Sequence, residues 1–207
     1  MSRSGEGVDG MGFFSNLFGD KATSDAASNA NDNTKGAPAA VEAAAAEPIA
    51  NLVEPAVVPV EALCPVPGSA IDIANVADQV FASKAMGDGI GIKPTSGELV
   101  APFSGTVEAL FPTGHALAIK HESGVGVMLH IGIDTVEMNG EGFTAHVAQG
   151  DHVEQGQLLV TFDRDKIAAA GYDDTTMVIA AEVPSGRTLT TCEPGPVSAG
   201  QRVLSFV

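Results

Sequence analysis

The chain reads as an all-β domain: an antiparallel, barrel-like sandwich with Gly-rich turns and one or two short helical turns, preceded by a disordered N-terminal tail. Three observations carry this. From about Glu61 onward, Gly and Pro recur at short intervals between runs of three to six Val, Ile, Leu, Phe and Ala residues, the texture of short strands joined by tight turns. Two short patterns repeat inside that region. And 44% apolar residues in a chain of 207 is enough for one core, with room left for a tail.

Residues 1–60 form the expected tail. The stretch "NANDNTKGAPAAVEAAAAEPIA" offers too little apolar surface to offset its ordering entropy. Val41 to Glu47 is a brief helical candidate within it. Phe13, Phe14, Leu17 and Phe18 fall at helical spacing, giving a weak amphipathic helix over 11–19 that lacks a basic face for a membrane surface. Any membrane contact is therefore expected to be weak or indirect. Residues 61–207 form the expected domain, and no run of about 18 apolar residues exists to span a bilayer.

Within the domain, "VEQGQLLVTF" (153–162) matches "VSAGQRVLSF" (197–206), and "PVPGSAI" (65–71) echoes "PFSGTV" (102–107). Such echoes predict a sandwich assembled from similar hairpins. "DRDKIAAA" (163–170) is the helical exception, with acids in its first turn and Gly171 as its stop.

Charge and cysteine content narrow the functional classes. The net charge of −16 repels nucleic acid and anionic membranes and favours a partner with a basic patch. Cys64 and Cys192 match no metal or redox spacing and read as reduced thiols, which predicts a cytoplasmic protein.

Chemistry concentrates in "TGHALAIKHESGVGVMLHIGID" (113–134), which holds three of the five histidines. Apolar segments on either side of "HESG" predict an antiparallel hairpin. With Glu122–Ser123 at the turn centre, His115 lies opposite His130; with Ser123–Gly124 at the centre, the two are diagonal. Either register puts both on one face, with Leu117, Ile119 and Met128. A single core histidine satisfied by a carbonyl would be unremarkable. Two on one apolar face suit metal ligation, proton relay, or capture of an electrophile by one neutral ring while the other donates a hydrogen bond. A hydrolytic zinc site finds no third ligand or H-x-x-x-H motif. His121, His146 and His152 read as turn or surface residues.

Three motifs, "GDGIGIKP", "PTGHA" and "LHIGIDTVEMNGEGF", make the region from about residue 61 to the C-terminus closely resemble the glucose-type enzyme IIA domain of the bacterial phosphoenolpyruvate:sugar phosphotransferase system. The resemblance implies a phosphocarrier that takes a phosphoryl group from the phosphocarrier protein HPr and passes it to the IIB domain of a sugar permease. It implies His130 as acceptor, His115 as its required neighbour, Thr113 as the residue holding His115, and Asp134 as a flanking acid. It implies a partner-binding rim of Asp78, Phe81, Met86, Phe111, Met128 and Val136. No cofactor is required, although family members share zinc between the two histidines and a docked partner. Unphosphorylated relatives also inhibit permeases and glycerol kinase, a regulatory alternative. Met128 departs from the aromatic residue of some relatives, and Ala85 and Met86 replace bulkier apolar residues of others. The stretch 173–194 is the least family-like. "MGFFSNLFGD" resembles the start of shorter members, which makes Met11 an alternative first residue.

Overall fold

A computed structural model describes residues 58–207. Residues 1–57 of the expected tail, with its helical candidates at 11–19 and 41–47, lie outside the described residues. Fourteen strands follow one another: β1 (Val60–Leu63), β2 (Gly68–Asp72), β3 (Asp88–Pro94), β4 (Glu98–Val100), β5 (Gly105–Leu110), β6 (Ala116–Lys120), β7 (Gly126–Ile131), β8 (Phe143–Ala145), β9 (His152–Val153), β10 (Leu158–Phe162), β11 (Thr176–Glu182), β12 (Leu189–Thr191), β13 (Gly195–Val197) and β14 (Arg202–Phe206). Two short helices, α1 (Gln79–Ala82) and α2 (Arg164–Ala169), and two single 3-10 turns interrupt them. The expected domain start at 61 falls inside β1, whose Val60 is buried and pairs with Phe206.

Eight strands form one antiparallel sheet in the order β13-β2-β3-β11-β7-β6-β5-β9, and two three-stranded sheets, β1-β14-β12 and β4-β10-β8, complete the sandwich. The strand order reads symmetrically about the β11–β7 boundary. Each half of the large sheet has its own small sheet, and the sequence echoes mark equivalent places. In "VEQGQ" the Gln157 side chain accepts from Glu154 N, and Gln157 N donates to Glu154 O. In "VSAGQ" Gln201 and Ser198 repeat both bonds. Gly156 and Gly200 sit at φ +81° and +80°, a conformation glycine adopts without penalty. The Pro echo is equally literal, since Leu63 N donates to Pro102 O and Val100 N to Pro65 O.

These echoes are not hairpins, however. β9 pairs with β5 while β10 pairs with β4 and β8, and β13 pairs with β2 while β14 pairs with β1 and β12. Each repeated turn is a corner that carries the chain from the edge of the large sheet into a small one. A corner and a hairpin need the same Gly-containing turn, which is why composition alone does not separate them.

Strand alternation divides the apolar residues between two clusters. Leu117, Ile119, Val127, Leu129, Ile131 and Val178 face inward and join residues of the small sheets in the main core. Met128, Met177 and Ile179 face outward and are covered by Ile73, Val76 and Phe81 from the 3-10 turn and α1. That second, smaller cluster is the floor beneath the histidines. Asp78 starts α1 by accepting from Val80 N (2.7 Å) and Phe81 N (3.0 Å). Asp163 caps α2 through Lys166 N, and Gly171 ends it at φ +85°, as the sequence predicts for 163–170.

The central hairpin differs from both expected registers. Ala116, not His115, lies opposite His130, and Lys120 lies opposite Gly126. The cause is a five-residue loop, 121–125, closed by His121 N to Val125 O and centred on Ser123, whose N–H donates to His121 Nδ1. One extra residue in the loop flips the alternation. Leu117 and Ile119 therefore move to the core, and Ala116 and Ala118 share the face of Met128 and His130.

Candidate functional site

The two imidazoles meet despite the changed register. Their ring centroids are 4.9 Å apart, with planes at 84°. His115 stands just before β6, after Gly114 at φ +70°, where alternation no longer dictates the side chain's direction. Its carbonyl still accepts from Ile131 N, so the backbone rung is kept. Opposite His130, Ala116 presents only a methyl, and it is itself fully buried. Phe81 packs edge-on against His130 at 5.0 Å, and Phe111 against His115 at 5.2 Å.

Each ring is held at Nδ1. His130 Nδ1 lies 2.9 Å from Gly132 O. A carbonyl can only accept, so Nδ1 carries the proton and Nε2 keeps its lone pair. His115 Nδ1 lies 2.5 Å from Thr113 Oγ1. Burial, the neighbouring His115 and only partial compensation from Gly132 O and Asp78 push the His130 pKa down to about 4. Burial also lowers that of His115, which is 2% exposed. Both rings are thus neutral at physiological pH. A neutral imidazole with a fixed proton on one nitrogen and a lone pair on the other is a nucleophile ready for an electrophilic centre.

Gly132 is the backbone hinge of this arrangement. Its φ is +77°, and a Cβ there would lie 2.3 Å from Thr135 Cγ2 and 2.8 Å from Asp173 O. Thr135, itself buried, donates to Ile131 O at 2.5 Å and closes the turn from the other side. Asp134 begins the following 3-10 turn in the left-handed region, φ 58°, with no capping bond from its side chain.

The expected rim residues divide by exposure. Asp78 reaches the His130 charge while capping α1. Phe81 and Met128 are buried, at 8% and 4% exposure, and Met86 packs against their cluster. They support the patch from beneath, so Met128 is floor where a rim residue is expected. Val136 is exposed, and so is Val80, a residue the sequence reading passes over although it stands beside Phe81 in "DQVF". Gly132, Asp173 and Thr175 are likewise unforeseen. Of these only Gly132 carried a signal, as a glycine inside "LHIGID".

Among the described residues, no three His, Cys, Asp or Glu side chains are grouped to hold a metal ion, and no helix is long and apolar enough to cross a membrane. His115 and His130 together offer two nitrogens and no more.

Residues 60–185 match the family model described as phosphoenolpyruvate-dependent sugar phosphotransferase system, EIIA 1. The chain belongs to this family. Among solved structures it is similar to the glucose permease IIA from Mycoplasma capricolum, at 36% sequence identity and a TM-score of 0.67, over 71% of this chain and 95% of that one. A member of this family is a phosphotransferase component, a phosphocarrier working with HPr and with the IIB and permease components of the system.

Proposed function

We propose that His130 accepts the phosphoryl group at Nε2, with His115 as its partner in transfer. The observation that supports this most is the bond from His130 Nδ1 to Gly132 O on a ring held neutral, which leaves Nε2 as the attacking atom. The Nε2 lone pair forms the new N–P bond as the donor's N–P bond breaks, and that electron pair returns to the donor imidazole of HPr. The protein's own contribution is placement and charge stabilisation. With the Thr113 hydroxyl donating to Nδ1 of His115, its Nε2–H is free to donate to a phosphoryl oxygen. The surrounding Phe81 and Phe111 rings limit water, which protects the labile N–P bond.

Docking follows from the same surface. Val80 and Val136 offer apolar contact, and Asp78 and Asp134 offer charge to the basic side chains of HPr. The acidic chain speeds a weak, short encounter, as a carrier requires. The onward acceptor is a cysteine of a IIB domain. The unphosphorylated patch also suits a regulatory partner such as glycerol kinase or a permease, which phosphate's added charge would displace. Zinc enters only at such an interface, with the partner completing the two histidine nitrogens. The Cys64 thiol, buried, donating to Val66 O and pushed up to about 11, and the free Cys192 suit the reducing cytoplasm.

The test is transfer from phospho-HPr to the protein and to its His130→Ala variant. A single acid-labile phosphate on the first and none on the second is expected. Phosphate on the variant would refute the assignment.

A further inference from the structure

The carbonyl that fixes the His130 tautomer is itself held in place from a distant part of the chain. Gly132 N donates to Thr175 O at 3.1 Å, and Ile133 N donates to Asp173 O at 2.9 Å. The peptides on either side of Gly132, the second of which carries the Gly132 carbonyl, are thus pinned to the segment entering β11. That segment is set in turn by one carboxylate. Asp173 Oδ1 accepts from Thr175 N at 2.7 Å and from Thr175 Oγ1 at 2.5 Å. Asp173 is exposed, whereas Thr175 is 2% exposed. An exposed carboxylate folded back on a buried threonine is therefore the outer end of a chain of bonds that ends at the nucleophile. The order is Asp173 carboxylate, the 173–175 backbone that it shapes through Thr175, the Gly132–Ile133 peptide held through Ile133 N, and the Gly132 carbonyl on that peptide facing His130 Nδ1.

We propose that Asp173 is a positioning residue for phosphoryl acceptance, acting through Thr175 and the Gly132 carbonyl to keep the His130 proton on Nδ1 and its lone pair on Nε2. The inference rests on the reading of His130 as acceptor. It adds a residue that touches neither the phosphoryl group nor either imidazole. The bond geometry states what the residue must supply. One oxygen accepts twice, so the need is for a carbonyl-type acceptor, not for charge. Without it, the 173–175 segment loses the bonds that set its shape, and the Gly132 carbonyl loses its fixed aim. An imidazole lacking an acceptor at Nδ1 can carry its proton on Nε2, where it blocks attack. Small misplacements of a reacting group are expensive: about 1 Å can cost on the order of a hundredfold in rate. A loosened, not removed, acceptor should cost on the order of tenfold.

The experiment uses the full chain and two readouts. The first is the ¹⁵N chemical-shift pair of the His130 ring, which reports the tautomer without any partner. The second is the single-turnover rate of phosphorylation by phospho-HPr. In the unchanged protein the proton is expected on Nδ1. Asp173→Ala should give a mixed tautomer and a rate lowered about tenfold. Asp173→Asn, which keeps the accepting oxygen and removes the charge, should restore the Nδ1 tautomer and most of the rate. If Asp173→Ala does not fold at the assay temperature, Thr175→Val, which deletes only the hydroxyl contact, takes its place with the same expected direction. A variant lacking the acceptor that keeps a pure Nδ1 tautomer overturns the proposal, as does an Asp173→Asn protein as impaired as Asp173→Ala. Were the unchanged protein to show the Nδ1 tautomer but accept no phosphate, the acceptor reading would fail while the positioning effect would still be read in the ring shifts.

Discussion

The depressed His130 pKa has a consequence for both the ring and the fold. In an unfolded chain the imidazole titrates near 6.5; in the folded protein it is pushed down to about 4, chiefly by burial and then by His115. Between these values the unfolded chain binds a proton that the folded one does not. Stability is therefore unaffected by this group above about pH 6.5 and is lost as pH falls from there toward 4. At about 1.4 kcal/mol per pH unit, the full gap corresponds to about 3 kcal/mol. The perturbation is His130→Gln, which removes the titrating ring but keeps a polar side chain of similar reach. Urea unfolding at pH 7 and pH 4 gives the stability of each protein. The acid-induced loss should be smaller in the variant by up to about 3 kcal/mol. A pH titration followed by ring-proton NMR measures the same quantity directly, with a midpoint near 4 for His130. A midpoint near 6.5, together with equal acid sensitivity of the two proteins, would refute the claim that the nucleophile is desolvated and neutral.

Other perturbations separate the parts of the site. His115→Gln should still allow His130 to accept phosphate, while onward transfer to a IIB domain falls on the order of 10²–10³, because one well-aimed donor is lost; equal rates in the second step would refute its role. Gly132→Ala forces a side chain into φ +77° against Thr135 and Asp173 O, so it should lower stability by at least about 1–2 kcal/mol, read by thermal melting, and slow phosphorylation. Val80→Asp should leave the melting temperature nearly unchanged, as exposed substitutions cost within about 0.5 kcal/mol, while raising KM for phospho-HPr. A chain beginning at Val58 should keep its melting temperature and transfer rate, whereas one beginning at Leu63 loses most of β1 and its buried Val60 and Ala62, and should melt markedly lower.

How much of this was legible in the sequence depended on distance along the chain. The all-β class and α2 come from local texture; the contact of His115 with His130 was expected from a hairpin parity that the observed register does not have, and it is made because His115 stands outside β6 after Gly114. The echoes identified equivalent turns to the level of the Gln side-chain bond, but not that each turn is a corner, because the choice is made by strands far away in sequence. The hairpin register failed on a single residue. "HESGV" admits loops of two to five residues, and the parity of the loop decides which residues join His130 on its face. Met128 was correctly placed on that face and incorrectly placed on its rim, since α1 and the 3-10 turn that bury it come from about fifty residues earlier. Asp173 lies about as far downstream, and nothing local to "GYDDTT" connects it to "LHIGID". Its influence exists only once β7 and β11 are paired.

The central claim is that a neutral His130, fixed at Nδ1 and open at Nε2, carries the phosphoryl group. It is tested most directly by trapping the phosphorylated protein after incubation with phosphoenolpyruvate, enzyme I and HPr, and recording its phosphorus–nitrogen couplings with ¹⁵N-labelled histidine. The account predicts one phosphate, on His130, coupled to Nε2, with the proton still on Nδ1. Phosphate at Nδ1, or on any other residue, would contradict it.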